Sequence, residues 1–185
     1  MRIAVLFASN SHGGKHEEIK NMMISLGLPH TFDFIEMAEH QITHCRQECQ
    51  GCVIQSEHRC LDGDDTFEIQ ERLRQADMNL IIVPRYYPYP SKFTALMEKL
   101  LNTCLRASNR PLKGKPTAIF LYCSSKIDDE RQLKILWQQY LMDEGYSFFE
   151  VNYPFLNEDY SEGLNDRYHK NIVEYIQDFL MKTVK

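Results

Sequence analysis

Two hydrophobic rhythms alternate along this chain, continuous apolar runs that fit buried strands and apolar positions at helical spacing. Arg2 to Ala8 is the first run, and the small, polar, glycine-bearing turn Ser9 to Gly14 leads into a helical stretch from about Lys15 to Leu26. Thr31 to Met37 alternates Phe32, Phe34 and Met37 with polar partners and predicts a second strand, while His40 to Gly63 has no clear period and predicts a long loop. Asp65 followed by Glu68 predicts a capping-box-like start for a helix ending near Gln75, since both carboxylates can satisfy free backbone N–H groups. Asn79 to Pro84 carries Leu80, Ile81, Ile82 and Val83 in succession, as expected of a central parallel strand covered on both faces. Ser91 is placed to cap a helix whose Phe93, Leu96, Met97, Leu100 and Leu101 recur at helical spacing. A strand over Lys115 to Tyr122, a helix from about Asp129 to Glu144, a strand near Phe148 to Asn152 and a closing helix from about Leu164 to Lys182 complete the alternation.

Five strands separated by helices predict a parallel sheet with right-handed crossovers and helices on both faces, a three-layer α/β sandwich of one domain over residues 1–185. Such sheets bind ligands beyond the carboxyl ends of their strands, where the strand order reverses. The loops expected to converge there are Ser9 to Lys15, Pro84 to Ser91 and Tyr122 to Lys126.

Composition narrows the partners. The chain has 185 residues, enough for one core without staples, and its net charge of −5 argues against a broad nucleic-acid surface. No apolar run is long enough to span a membrane, and the first residues lack the pattern of a secretory signal, so a cytoplasmic location is expected. Six cysteines are then better read as thiols, metal ligands or redox groups than as a disulfide framework.

Ser9, Asn10, Ser11, Gly13, Gly14 and Lys15 offer hydroxyls, free backbone and one cation where a helix begins. That combination suits a monophosphate, although an ordinary solvated turn reads the same way. It matches neither a dinucleotide-binding turn nor a P-loop. Pro84-Arg85-Tyr86-Tyr87-Pro88-Tyr89-Pro90-Ser91 holds planar surfaces in a stiff loop, a wall for an aromatic ring or a contact between copies of the chain. Cys45, Cys49, Cys52 and Cys60 are close enough in sequence for four thiolates to hold an iron–sulfur cluster or a zinc ion. A redox pair at Cys49 and Cys52, or four unligated thiols, remain open. Helix capping by Asp65 is preferred to a cation site at Asp62, Asp64 and Asp65.

With those residues in view, the chain resembles the NADPH-dependent FMN reductase and iron–sulfur flavoprotein branch of the flavodoxin-like proteins, up to about Lys126. The resemblance rests on Ile42 ahead of Cys45, Cys49, Cys52 and Cys60, on Asp64 and Asp65 behind them, on Ala76-Asp77 before the apolar strand, on Pro84-Arg85-Tyr86 and on Pro90-Ser91. It implies a flavodoxin-like fold with Ser9, Ser11, Gly14 and Lys15 near the phosphate of FMN. It also implies that Pro84, Arg85, Tyr86, Tyr87 and Ser91 lie near the ribityl chain or the ring, with Ser124 as a third flavin contact.

The activity so implied is an FMN-dependent NAD(P)H oxidoreductase that passes electrons to a small acceptor or to a four-iron four-sulfur cluster on the four cysteines, with no side-chain acid or base required. An FMN electron-transfer protein without nicotinamide oxidation, or a cysteine–metal module with an empty flavin site, are the competing readings. The expected partners are a nicotinamide cofactor, a small-molecule or protein electron acceptor, and further copies of the chain in a homodimer or homotetramer, with neither nucleic acid nor membrane.

Overall fold

A computed structural model of the chain describes residues 1–46, 60, 62–84, 90–106, 115–122, 147–152, 173–174 and 176–182. Strands β1 (Arg2–Phe7), β2 (Thr31–Glu36), β3 (Met78–Pro84), β4 (Pro116–Tyr122) and β5 (Ser147–Asn152) form one sheet in the order β2-β1-β3-β4-β5. Every neighbouring pair is parallel. The helices described in full are α1 (Gly14–Ser25), α2 (Thr66–Gln75) and α3 (Ser91–Arg106), and residues 176–182 are also helical. The expected helix at 129–144 lies outside the described residues.

The three-layer expectation holds because the central strands bury both of their faces. Ala4, Leu6, Ile81 and Val83 pack with Ile69 and Leu73 of α2 and with Phe93, Leu96, Met97 and Leu100 of α3. Ile3, Val5, Leu80, Ile82, Ala118 and Phe120 face the other way, onto Ile19 and Met23 of α1 and onto Ile176, Phe179 and Leu180. All seven residues of β3 are buried, Asn79 among them, which is why Leu80 to Val83 read as a continuous apolar run. Gly27, at φ 58°, takes the left-handed turn that ends α1.

The amino edge of the sheet is closed by ionic contacts. Arg2 pairs with Asp33 at 2.8 Å, Arg72 of α2 reaches the same carboxylate at 2.6 Å, and the Arg2 N–H donates to Asp77 at 2.7 Å. Burial raises the Asp33 carboxyl, but the bonds from Arg72 and Arg2 outweigh it and leave that group below its ordinary value. The opposite edge carries the loops that follow the strands.

One expectation is corrected. Asp65 precedes α2, but its side chain makes no capping bond. Its carboxylate instead accepts the Gln41 N–H at 2.7 Å, and Asp64 accepts the Thr66 N–H at 3.0 Å. The capping contact has moved one residue upstream because Asp65 is committed to pinning the chain after β2.

Candidate functional site

At the carboxyl edge the Ala8 N–H donates to Ile82 O at 2.9 Å, so the loop after β1 leaves the sheet beside the end of β3, where the strand order switches direction. Ser9 is buried and its hydroxyl accepts the Ser11 N–H at 3.3 Å, which folds the loop back on itself. Asn10, exposed, then bridges to α3: its amide donates to Ser91 Oγ at 3.1 Å and its carbonyl oxygen accepts the Lys92 N–H at 3.2 Å. An amide 82 positions away thus satisfies a backbone donor in the first turn of α3. Lys92 extends the junction, its ammonium donating to the carbonyls of Met37, Ala38 and His40 at 3.1, 3.2 and 2.7 Å. The segments after β1 and β2 and the start of α3 are therefore tied together.

The start of α1 is open. Gly13 precedes the helix with no side-chain capping bond, and a Cβ built on Gly13 or Gly14 would meet nothing within 4 Å. The His16 N–H donates to Gly13 O at 2.9 Å, and the space in front of the two glycines, at the positive end of a helix dipole, suits an anion. Lys15 does not simply point into that space, because its ammonium pairs with Glu18.

Behind this turn lies a buried ionic cluster. His16, in the first turn of α1, packs its ring at a tilt against Phe7 with centroids 4.6 Å apart, and its Nδ1 lies 3.0 Å from Glu36 Oε2 at the end of β2. The other Glu36 oxygen takes the Lys20 ammonium at 2.6 Å, and Lys20 also holds Glu17 at 3.0 Å. Burial pushes the Glu36 carboxyl up, but the hydrogen bonds from His16 and Lys20 prevail and keep it below its ordinary value.

A second cluster closes the base of the cysteine segment. Gln41 and Asp65 exchange two hydrogen bonds, with Gln41 N–H to the Asp65 carboxylate at 2.7 Å and Asp65 N–H to Gln41 O at 3.1 Å. Thr43 donates its N–H and its hydroxyl to Asp64 at 2.8 and 3.0 Å, and Arg46 reaches Asp62 at 3.3 Å. Lys99 of α3 inserts its ammonium between Asp62 and Asp64 at 3.0 and 2.5 Å. Gly63, at φ 75°, makes the left-handed bend between those two aspartates. Glu98 accepts the Cys45 N–H at 3.3 Å, and Ile42 packs against the core. Cys45 and Cys60 are both part-buried, and burial pushes the Cys60 thiol up to about 11 despite nearby Lys99.

The structure therefore brings Ser9, Ser11, Gly14 and Lys15 to the same edge as Pro84 and Ser91. Arg85, Tyr86, Tyr87 and Ser124 lie outside the described residues, as do Cys49 and Cys52. Sequence reasoning overlooked Lys92 and Lys99 and gave Asn10 no bridging role. It passed over His16 as well, although an ionisable residue just inside a helix start was a visible signal. His40, Asp65 and Glu68 offer ligand atoms within 4.8 Å of one another, but Asp65 already accepts the Gln41 N–H and Glu68 lies 3.6 Å from Arg72. Among the described residues no helix is long and apolar enough to cross a membrane.

Comparison with known proteins bears on this edge. The profile of the NADPH-dependent FMN reductase family matches residues 1–141. No curated protein is significantly similar in sequence. Among solved structures, an NAD(P)H:quinone oxidoreductase from Methanothermobacter marburgensis superposes with a TM-score of 0.64 at 13% identity, covering 100% of this chain and 99% of that one. The flavoenzyme NAD(P)H:(acceptor) oxidoreductase FerB from Paracoccus denitrificans superposes with a TM-score of 0.61 at 14% identity, covering 97% and 95%. An NADH:FMN oxidoreductase in its apo form gives 0.59 at 13% identity, covering 97% and 88%. At these identities the superpositions establish the flavodoxin-like fold.

Proposed function

The chain belongs to the NADPH-dependent FMN reductase family and is an enzyme of the NAD(P)H-dependent flavin oxidoreductase class, and from that premise we propose that FMN sits at the carboxyl edge between β1 and β3 and passes electrons to a small acceptor. The observation that carries this reading is the Asn10 bridge, which joins the loop after β1 to the start of α3 beside the open end of α1. A pocket for a flat, singly phosphorylated compound needs those three features together.

Ser9, Ser11, Gly14 and Lys15 are the residues for the phosphate, by hydroxyls and by the positive end of the α1 dipole. Pro84 and Ser91 border the ribityl side, and the sequence adds Arg85, Tyr86, Tyr87 and Ser124 as ring contacts. The bound flavin would supply hydride acceptance from a reduced nicotinamide and delivery of electrons onward. The chain's own work is to hold the phosphate, to fix the ring against a stiff loop and to limit access of water. Quinones fit the acceptor class, since two of the superposed proteins act on quinones or on an acceptor not further specified.

A second element of the reading concerns the cysteines. The paired base formed by Gln41 with Asp65, Thr43 with Asp64 and Arg46 with Asp62 supports Cys45 and Cys60 as the outer members of a metal or iron–sulfur site with Cys49 and Cys52. The high Cys60 thiol value means that a metal must displace a proton held tightly by burial. Assembly of copies into a homodimer or homotetramer through the tyrosine loop completes the proposal.

Protein purified anaerobically should be yellow or take up added FMN, and should oxidise NAD(P)H in the presence of a quinone. Failure to bind FMN would remove the site assignment. FMN binding without NAD(P)H oxidation would point to a carrier. Iron and acid-labile sulfide near four atoms each per chain would support the cluster, whereas a clean flavin spectrum with neither would remove it.

A further inference from the structure

The first turn of α1 is held in place at an electrostatic cost. His16 is wedged between Phe7 and Glu36, and its side chain is 3% exposed. That contact fixes the helix start relative to both β1 and β2, because Phe7 ends β1 and Glu36 ends β2. It also leaves a carboxylate, itself only 5% exposed, one side chain behind an opening suited to an anion. A negative charge in that position opposes a phosphate, and burial keeps water from screening it.

Lys20 offsets this charge. One turn further along α1, it places its ammonium 2.6 Å from Glu36 Oε1 and 5.7 Å from the centre of the Phe7 ring, so it covers the side of the carboxylate that His16 leaves. Among the described residues, Glu36 is met by Lys20, with Glu17 bonded to it at 3.0 Å and mostly exposed, and by the imidazole of His16. Lys15 is tied to Glu18.

The geometry points to Lys20 as the residue that sets the preference of this pocket for phosphorylated FMN over riboflavin, by cancelling the Glu36 charge that orients the helix start. The inference rests on the FMN assignment made above. Lys20 need not touch the phosphate; it is a positioning and charge-balancing residue whose effect is confined to the phosphorylated ligand. Riboflavin shares the ring and the ribityl chain but lacks the anion, so it reports packing alone.

The test measures FMN and riboflavin affinity by quenching of flavin fluorescence in the wild type, K20M, E36Q and the double variant K20M/E36Q, with circular dichroism as a check on folding. K20M should weaken FMN on the order of three- to tenfold and leave riboflavin within twofold. E36Q should shift the FMN-to-riboflavin ratio the other way, and the double variant should return it towards the wild type. A role in packing alone predicts that K20M and E36Q weaken both flavins in the same direction, and that result would overturn the inference while leaving the FMN site intact. Equal wild-type affinity for the two flavins would overturn it too. A wild type that binds neither would bring down the FMN assignment and this inference with it.

Discussion

The Lys99 cluster and the Glu36 cluster both take carboxylates out of water, yet the exposure of their lysines separates them. The Lys99 side chain is 1% exposed and its partners Asp62 and Asp64 are 0% and 7%, whereas Lys20 keeps 19% of its side chain in solvent. The first cluster joins α3 to two stretches at the base of the cysteine segment, far apart in sequence. The second joins one helix start to the ends of two adjacent strands. A sealed cluster cannot respond to a ligand and serves to hold chain segments together, while one that opens towards an anion site can tune what binds there. The flavodoxin-like scaffold carries one device of each kind.

The sharpest way to break this contrast is to remove Lys99. The K99M substitution leaves Asp64 without its ammonium and Asp62 with Arg46 as its remaining cation among the described residues, so two buried carboxylates lose the cation they share. A loss of about 3–5 kcal/mol in folding stability is expected, read from urea unfolding. D64N added to K99M should recover part of it. A loss below about 1 kcal/mol would mean that the base of the segment is wetter than its exposure indicates. K20M, by contrast, should cost less, about 1–3 kcal/mol, because the buried Glu36 carboxylate keeps its contact with the His16 imidazole.

Acid should act on the same cluster in a defined direction. Burial raises the Asp64 carboxyl, but the bond from Lys99 and those from the Thr43 and Thr66 N–H groups prevail and hold it well below its ordinary value. The unfolded chain therefore binds a proton at a higher pH than the folded one does. The stability contributed by Asp64 is complete above the ordinary carboxylate value of about 3.9 and is lost as pH falls from there through the lower folded value. Unfolding free energy measured from pH 5 down to pH 2 should fall steeply in the wild type and less steeply in D64N. Parallel slopes would show that other carboxylates carry the acid sensitivity.

Much of this architecture was legible in the chain. β3 announced itself through the run Leu80 to Val83, since a strand covered on both faces has few polar positions to spare, and the helices showed because Phe93, Leu96, Met97 and Leu100 keep one face apolar. The cross-chain contacts were not legible. Asp65 looked like a helix cap because local spacing allowed it, but a partner 24 positions away, Gln41, competed for the carboxylate and won. Lys99 drew no reading, although it follows Leu96 by three residues on the buried side of α3. Two aspartates flanking a left-handed glycine were its unread counterpart. Asn10 carried no local signal at all, since its amide completes a helix start on the far side of the sequence.

The Asn10 bridge offers the smallest effect and the finest test of how the loop edge differs from the sealed base. Asn10 is exposed, so N10A should cost only about 1 kcal/mol of stability, the usual loss when a helix-end contact is removed. The same truncation frees the loop after β1 from Ser91 and Lys92, and whatever binds between them must then order it. FMN affinity should therefore fall about five- to tenfold, and riboflavin affinity should fall with it, because the bridge positions both sides of the pocket rather than the phosphate alone. N10D keeps an acceptor for the Lys92 N–H but adds a negative charge at the same edge, so it should restore stability while weakening FMN more than riboflavin. Unchanged affinity for both flavins in N10A would mean that the loop holds its shape without the bridge, leaving Ser9 and the anchored first turn of α1 to order it.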